Sequence, residues 1–329
     1  MPQSKPEIVV DLDAQTHSPL KAEIYLSRLK PDTSFHEILD CRHPLGIYNV
    51  STARIAKKLT ACCARLEEFL LAVPSASTLL SHNDKKEGLV DYIELCLYAA
   101  AEHVDDLEAI ARCFFENDRL AATSPHTKEL KSSMKPIRDR ISGFTNAIKH
   151  SQSRIRICSV DFAQDNGAVC LHGFFIERFY NGTIGPSPIF HSNERLISVT
   201  SFLWSVLIYL FSMSGALCEF LLGMDVVENA SGVIVQQSPL LRPCVIALTR
   251  LPLYSFDDVH PFVKTRFIVN GGESARHEMD SNIYGSIMRR WSKTPSAFSG
   301  QTVMGYEGDG TTKRFQLNLP LNINIQPWD

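Results

Sequence analysis

The sequence predicts an α+β fold: a bundle of about four long helices with an inserted β-hairpin, beside a smaller mixed C-terminal region. Three observations predict it. Long stretches between residues 51 and 222 repeat their apolar residues with a helical period. Between residues 154 and 180 the period drops to two, around an Asp-Asn-Gly turn. After residue 225 short strand-like and helix-like patterns alternate without a long periodic run. The expected division is 1–50, an irregular N-terminal segment; 51–225, the bundle, with the hairpin at about 154–180; and 226–329, the mixed region.

In the first segment Glu7–Leu12 reads as a short strand, and Pro31, Pro44 and Gly46 mark loops. The first long helix opens at Ser51-Thr52, carries Ile55, Leu59, Cys62, Leu66, Phe69, Leu70 and Val73 on one stripe, and stops at Pro74. After a polar loop ending at Asn83–Lys86, the second helix runs from about Gly88 to Asn117 and holds the acids Glu102, Asp105, Asp106 and Glu108 around His103. The third runs from about Ser124 to His150, with Ser124 as cap, Pro125 as first helical residue and Pro136 as a kink or a restart. Arg154–Cys158 alternates as a strand, Asp165-Asn166-Gly167 turns it, and Ala168–Tyr180 returns. Asn181-Gly182 is a second turn, and Ser192-Asn193-Glu194 opens a fourth, wholly apolar helix to about Leu222. In the last hundred residues Thr265–Val269 reads as a strand, Asp280–Trp291 as a short helix, and 302–319 as a hairpin about Gly308-Asp309-Gly310. The polar run Glu228–Gly232 marks the expected boundary before this region.

Composition narrows the classes. With 44% hydrophobic residues, 21% charged residues and a net charge of −3, the chain is neither disordered nor a general nucleic-acid coat. Its nine cysteines contain no Cys-x-x-Cys pair, which speaks against a disulfide framework or a zinc ribbon and for a reducing compartment. The first residues lack the layout of a signal peptide, so the expected location is cytoplasmic. Leu196–Cys218 is 23 residues without a charge, long enough to span a bilayer. Its six Ser and Thr residues and the absence of flanking positive clusters favour a buried core helix, leaving membrane attachment as an alternative.

One window departs from the average. Residues 131–156 hold Lys131, Lys135, Arg138, Arg140, Lys149, Arg154 and Arg156 against Asp139 alone, a net +6, so the rest of the chain carries −9. Such a surface attracts phosphate-bearing partners. On a helix Ile137, Ile141, Phe144 and Ile148 fall within about 60° of one another, and Asn146 and His150 lie one turn apart on the opposite side. Those two residues therefore face water or a partner. The plain reading is a solvated face, with Lys149 and His150 complementing the helix dipole.

Asn146-Ala147-Ile148-Lys149-His150 resembles the Asn-x-x-x-His part of the Arg-Asn-x-x-x-His motif of bacterial HEPN-superfamily helical domains. The resemblance covers 51–222 only as a helix pattern, and Thr145 stands where the family has its Arg. It implies an RNA-acting protein of the defence or toxin type, and in active members a metal-independent ribonuclease working across a homodimer interface. The implied catalytic set is His150 and Asn146, with Arg140 as the cation and Arg154 or Lys149 as the alternatives; Lys135, Arg138, Lys149, Arg154 and Arg156 would bind nucleic acid. His can move the 2′-hydroxyl proton, and a cation can stabilise the phosphate. No cofactor and no metal are expected. A non-catalytic scaffold binding RNA, another protein or a second copy of itself through the same surface is the alternative.

Other clusters imply less. Glu102–Asp106 has no second His or Cys cluster at metal-ligand spacing, and an acidic face pairing with the basic helix accounts for it. Asp257-Asp258-Val259-His260-Pro261 reads as a loop, and the basic, aromatic run Arg289–Lys293 as an amphipathic helix end with Trp291 packed inward, with stacking on a base as the alternative. No phosphate loop or nucleophile elbow is present.

Overall fold

The computed structural model describes residues 5–13, 20–150, 153–164, 167–180, 183–191, 196–228, 239–256, 260–271, 276–282, 295–300 and 324–326. The fold is α+β. Strand β1 (Glu7–Asp11) and the short helix α1 (Lys21–Leu26) precede α2 (Pro44–Ala72). The first fifty residues are thus not irregular throughout, and α2 starts seven residues before Ser51. Pro44 opens that helix instead of marking a loop. Its fixed φ suits the first helical position, and the Leu45 N–H donates to Nδ1 of His43 at 3.2 Å.

A 3-10 turn (Ala76–Ser81) leads into α3 (Asn83–Arg112), followed by the short α4 (Asp118–Thr123) and by α5 (Pro125–His150). Helix α5 runs unbroken through Pro136. Its packed face is Leu130, Met134, Ile141, Phe144 and Thr145, while Ile137 and Ile148 are only half-buried.

Strands β2 (Ile155–Gln164) and β3 (Gly167–Tyr180) form the long antiparallel hairpin, in register from Ile155↔Ile176 to Gln164↔Gly167. That register leaves two residues between the strands, at the expected turn. The chain continues through β4 (Thr183–Pro186) and β5 (Ile197–Ser198), and then enters α6 (Val199–Gly223). Residues 196–198 are therefore not helical: β5 pairs with β3, and Ser198 caps α6 by accepting from the Ser201 N–H at 3.2 Å. The approach of β5 requires glycine at 173, where a Cβ would stand 2.9 Å from the Ile197 carbonyl oxygen. Helix α7 (Leu241–Thr249), β6 (Leu253–Ser255), β7 (Arg266–Asn270), β8 (Arg276–Met279), β9 (Pro295–Gly300) and β10 (Asn324–Gln326) complete the elements. Most of the expected helix at 280–291, the hairpin at 302–319, and the segments 229–232 and 289–293 lie outside the described residues.

Pairings tie the chain's ends to its middle. Strand β1 lies parallel to β7, which is antiparallel to β8. Strand β9 pairs with β2, and β10 with β6. One apolar core runs from Val10 to Met279 through α2, α3, α5, α6 and α7, crossing residue 225 without a break. At its centre is α6, where 18 of 25 residues are buried. It is the one described helix long and apolar enough to cross a membrane. Several of its hydroxyls have partners inside the fold: Ser205 donates to the Ser201 carbonyl at 2.9 Å, and Ser214 accepts from the Ala22 N–H at 3.1 Å.

The hairpin is covered on both sides. Ile155, Ile157, Phe174 and Ile176 belong to the main core. The opposite face, with Cys158, Val160, Phe162, Leu171 and Phe175, closes a second core against Leu196, Tyr254 and Phe256. Alternating strand residues thus point into two cores rather than into core and solvent.

Candidate nucleic-acid interface

The basic helix divides into two parts. In the first, the charge is spent within the chain. Lys131 Nζ lies 2.9 Å from Glu108 Oε2 and Arg138 Nη1 lies 2.8 Å from Glu108 Oε1. Burial pushes the Glu108 carboxyl up, but hydrogen bonds from Lys131 and Arg138 outweigh it and hold it below its ordinary value. Lys135 pairs with Asp139 one turn along the same helix. The acidic face of α3 does pair with the basic helix, as its composition suggests, and Arg54 of α2 takes Glu102 at 2.6 Å.

The second part is the last turn of α5. Asn146, Lys149 and His150 are all exposed there. Lys149 has no carboxylate among the described residues; its Nζ stands 4.5 Å from the centroid of the Tyr98 ring. That contact holds a cation over an aromatic face while leaving its charge outward. Asn146 and His150 have no hydrogen-bond or ion-pair partner among the described residues. Arg154 is exposed just ahead of β2.

Two expected members stand elsewhere. Arg156 is not at the surface: it is buried, with Nε 2.7 Å from Glu177 Oε2 in a pair whose side chains are each 7% exposed. The second core covers the strand face that carries it. Arg140 is exposed but ten residues from His150 on one continuous helix, about 15 Å along the axis. It packs against Phe144, with Cζ 5.9 Å from the ring centroid, and borders a cleft toward α6. The position that would carry the motif's arginine, Thr145, is buried, and its hydroxyl donates to the Ile141 carbonyl at 3.1 Å. An arginine there would enter packed core.

His103 turns away from its acidic neighbours. It is wholly buried, with Nδ1 2.8 Å from Ser51 Oγ, and burial, with Arg54 nearby, pushes its pKa down to about 3. Among the described residues no three His, Cys, Asp or Glu side chains converge as a metal-binding group. The nine cysteines are all free thiols. Sequence reasoning missed Lys264, which no motif marks, and read His260 only as part of a loop; both share the cleft with Arg140. Comparison with protein-family models, with curated proteins and with solved structures finds no match to this chain.

Proposed function

We propose that this protein is a cytoplasmic RNA-interacting protein of the HEPN-like kind, contacting RNA through the last turn of α5. The observation that carries the reading is the exposed trio Asn146, Lys149 and His150, whose cation is not neutralised by any described acid. An amide, an ammonium and an imidazole on one turn are the groups that bind a sugar–phosphate backbone and its 2′-hydroxyl. Nine free thiols agree with a reducing compartment.

Within the trio Lys149 is the one cation near His150, and the family's arginine has no counterpart there. His150 can take the 2′-hydroxyl proton, but the developing charge on the phosphate requires a cation beside it. Arg140 is about 15 Å away along the helix. A ribonuclease built on this site would draw its arginine from a second copy, so its specific activity would rise with protein concentration. Binding without cleavage is the second reading, favoured by the buried Thr145 at the arginine's place.

The test uses end-labelled RNA with the full chain, with and without EDTA, over a range of protein concentration. Chelator-resistant cleavage that His150→Ala abolishes, with unfolding unchanged, establishes the nuclease. Retarded but intact RNA establishes the binding protein. No retardation at low salt and micromolar protein overturns both.

A further inference from the structure

A cleft of about 400 Å³ lies between α5, α6 and the segment 260–265. That is the size range of small-molecule sites. Its walls are two matched helical rows. Helix α5 contributes Ser133, Pro136, Ile137 and Arg140; α6 contributes Ser205, Ile208, Tyr209 and Ser212. Both rows follow the spacing i, i+3, i+4, i+7, which places each on a single helix face. The rows line the cleft where a bundle would ordinarily interdigitate them, and this is why Ile137, on the apolar stripe of α5, is only half-buried.

The charges that the described residues bring to the cleft are of one sign. Arg140 comes from α5 and Lys264 from the 260–265 segment; both are exposed, and neither has a carboxylate partner among the described residues. No acid is among the described residues that line the cleft. His260 adds no third charge: burial, with Lys5 nearby, pushes its pKa down to about 3, and its Nδ1 accepts from the Phe262 N–H at 3.1 Å. Two cations lining one cleft, with no described carboxylate beside either, suit a dianion.

The rest of the lining describes the body of that ligand. Ile137, Ile208 and Val263 are apolar, and Tyr209 offers a half-exposed aromatic ring. The hydroxyl protons of Ser205 and Ser212 are committed to the Ser201 and Ile208 carbonyls at 2.9 and 2.8 Å, so these two oxygens offer acceptors. A ligand that fits carries a phosphate, a flat face for Tyr209, and hydroxyl or amino donors for the serines.

We propose that the cleft between α5 and α6 is a binding site for a nucleoside monophosphate, its phosphate held by Arg140 and Lys264 and its base laid against Tyr209. The site is independent of the RNA contact at the end of α5.

Isothermal titration of the full chain with AMP, GMP, CMP and UMP, the four nucleosides, ribose 5-phosphate and inorganic phosphate tests it. At least one nucleotide binds, its nucleoside binds at least tenfold more weakly, and ribose 5-phosphate and phosphate bind more weakly than the nucleotide. Arg140→Ala and Lys264→Ala each weaken the nucleotide at least tenfold; both residues are exposed, so the fold tolerates the changes. Ile137→Trp, which fills the cleft, abolishes binding, and His150→Ala leaves it unchanged. Absence of binding at millimolar nucleotide, equal binding of ribose 5-phosphate or phosphate, or insensitivity to both cation variants would overturn the proposal.

Discussion

Arg156 and Glu177 meet inside the second core, Nε to Oε2 at 2.7 Å, on diagonal positions of β2 and β3. Removing one partner strands the other charge in low dielectric. Arg156→Ala, which leaves the buried Glu177 carboxylate without this cation, therefore lowers unfolding stability by about 3–5 kcal/mol, read from the urea midpoint, while replacing both residues with apolar side chains recovers most of the loss. A single variant within about 0.5 kcal/mol of the parent would mean that water reaches the pair.

Acid destabilises this protein before its carboxylates titrate. Burial depresses the pKa of His103 and His260 to about 3 and of His172 to about 4, from the ordinary 6.5. In that interval the unfolded chain binds protons that the folded chain refuses. Stability is thus complete above pH 6.5 and falls as pH drops toward 4, by about 1.4 kcal/mol per unit for each histidine. Thermal melts between pH 7.5 and 4.5 measure the slope; a flat profile between 6.5 and 5 contradicts the burial.

Thiol reactivity follows position. Cys41 is exposed, Cys170 half-buried and the other seven are buried. Brief treatment with iodoacetamide followed by mass spectrometry modifies Cys41 first and Cys170 slowly, and the rest react only in denaturant. Cys41 Sγ lies 3.5 Å from the buried Cys113 Sγ, so mild oxidation that spares the other thiols consumes these two together.

Helix α6 is held at its centre by Trp204, whose ring lies 5.4 Å from those of Phe262 and Phe267. These contacts join α6 to the β7 sheet. Trp204→Ala costs about 3–5 kcal/mol in denaturant unfolding. A smaller loss would show that the sheet docks without it.

The two parts of the basic helix separate in RNA binding. Lys149→Ala weakens binding and reduces the dependence of log K on log salt by about one. Lys131→Ala, whose charge is taken up by Glu108, leaves the slope unchanged. Equal effects of the two would place the RNA along the whole helix.

The bounds of α5 and the exposure of Asn146 and His150 were legible in the sequence, because capping, helical period and facing are set by neighbours within a few residues. So was the hairpin, whose register Gln164↔Gly167 falls where the sequence predicts an Asp-Asn-Gly turn. Period alone could not say what covers each face. The alternation at Arg154–Cys158 looks like a strand with a wet side, yet Tyr254 and Phe256, about a hundred residues later, close that side and bury Arg156. The run Glu102–Asp106 looks like one acidic cluster, yet His103 turns inward to Ser51 and Glu102 outward to Arg54. Arg140 could be assigned to His150 by composition, but a rigid helix keeps them about 15 Å apart and gives Arg140 to the cleft with Lys264. Local sequence determined which elements form and which way their side chains point. Only the meeting of elements distant in the chain decided which side chains are buried, which charges are neutralised and where a cleft remains, because burial depends on what packs opposite and that partner is not encoded nearby.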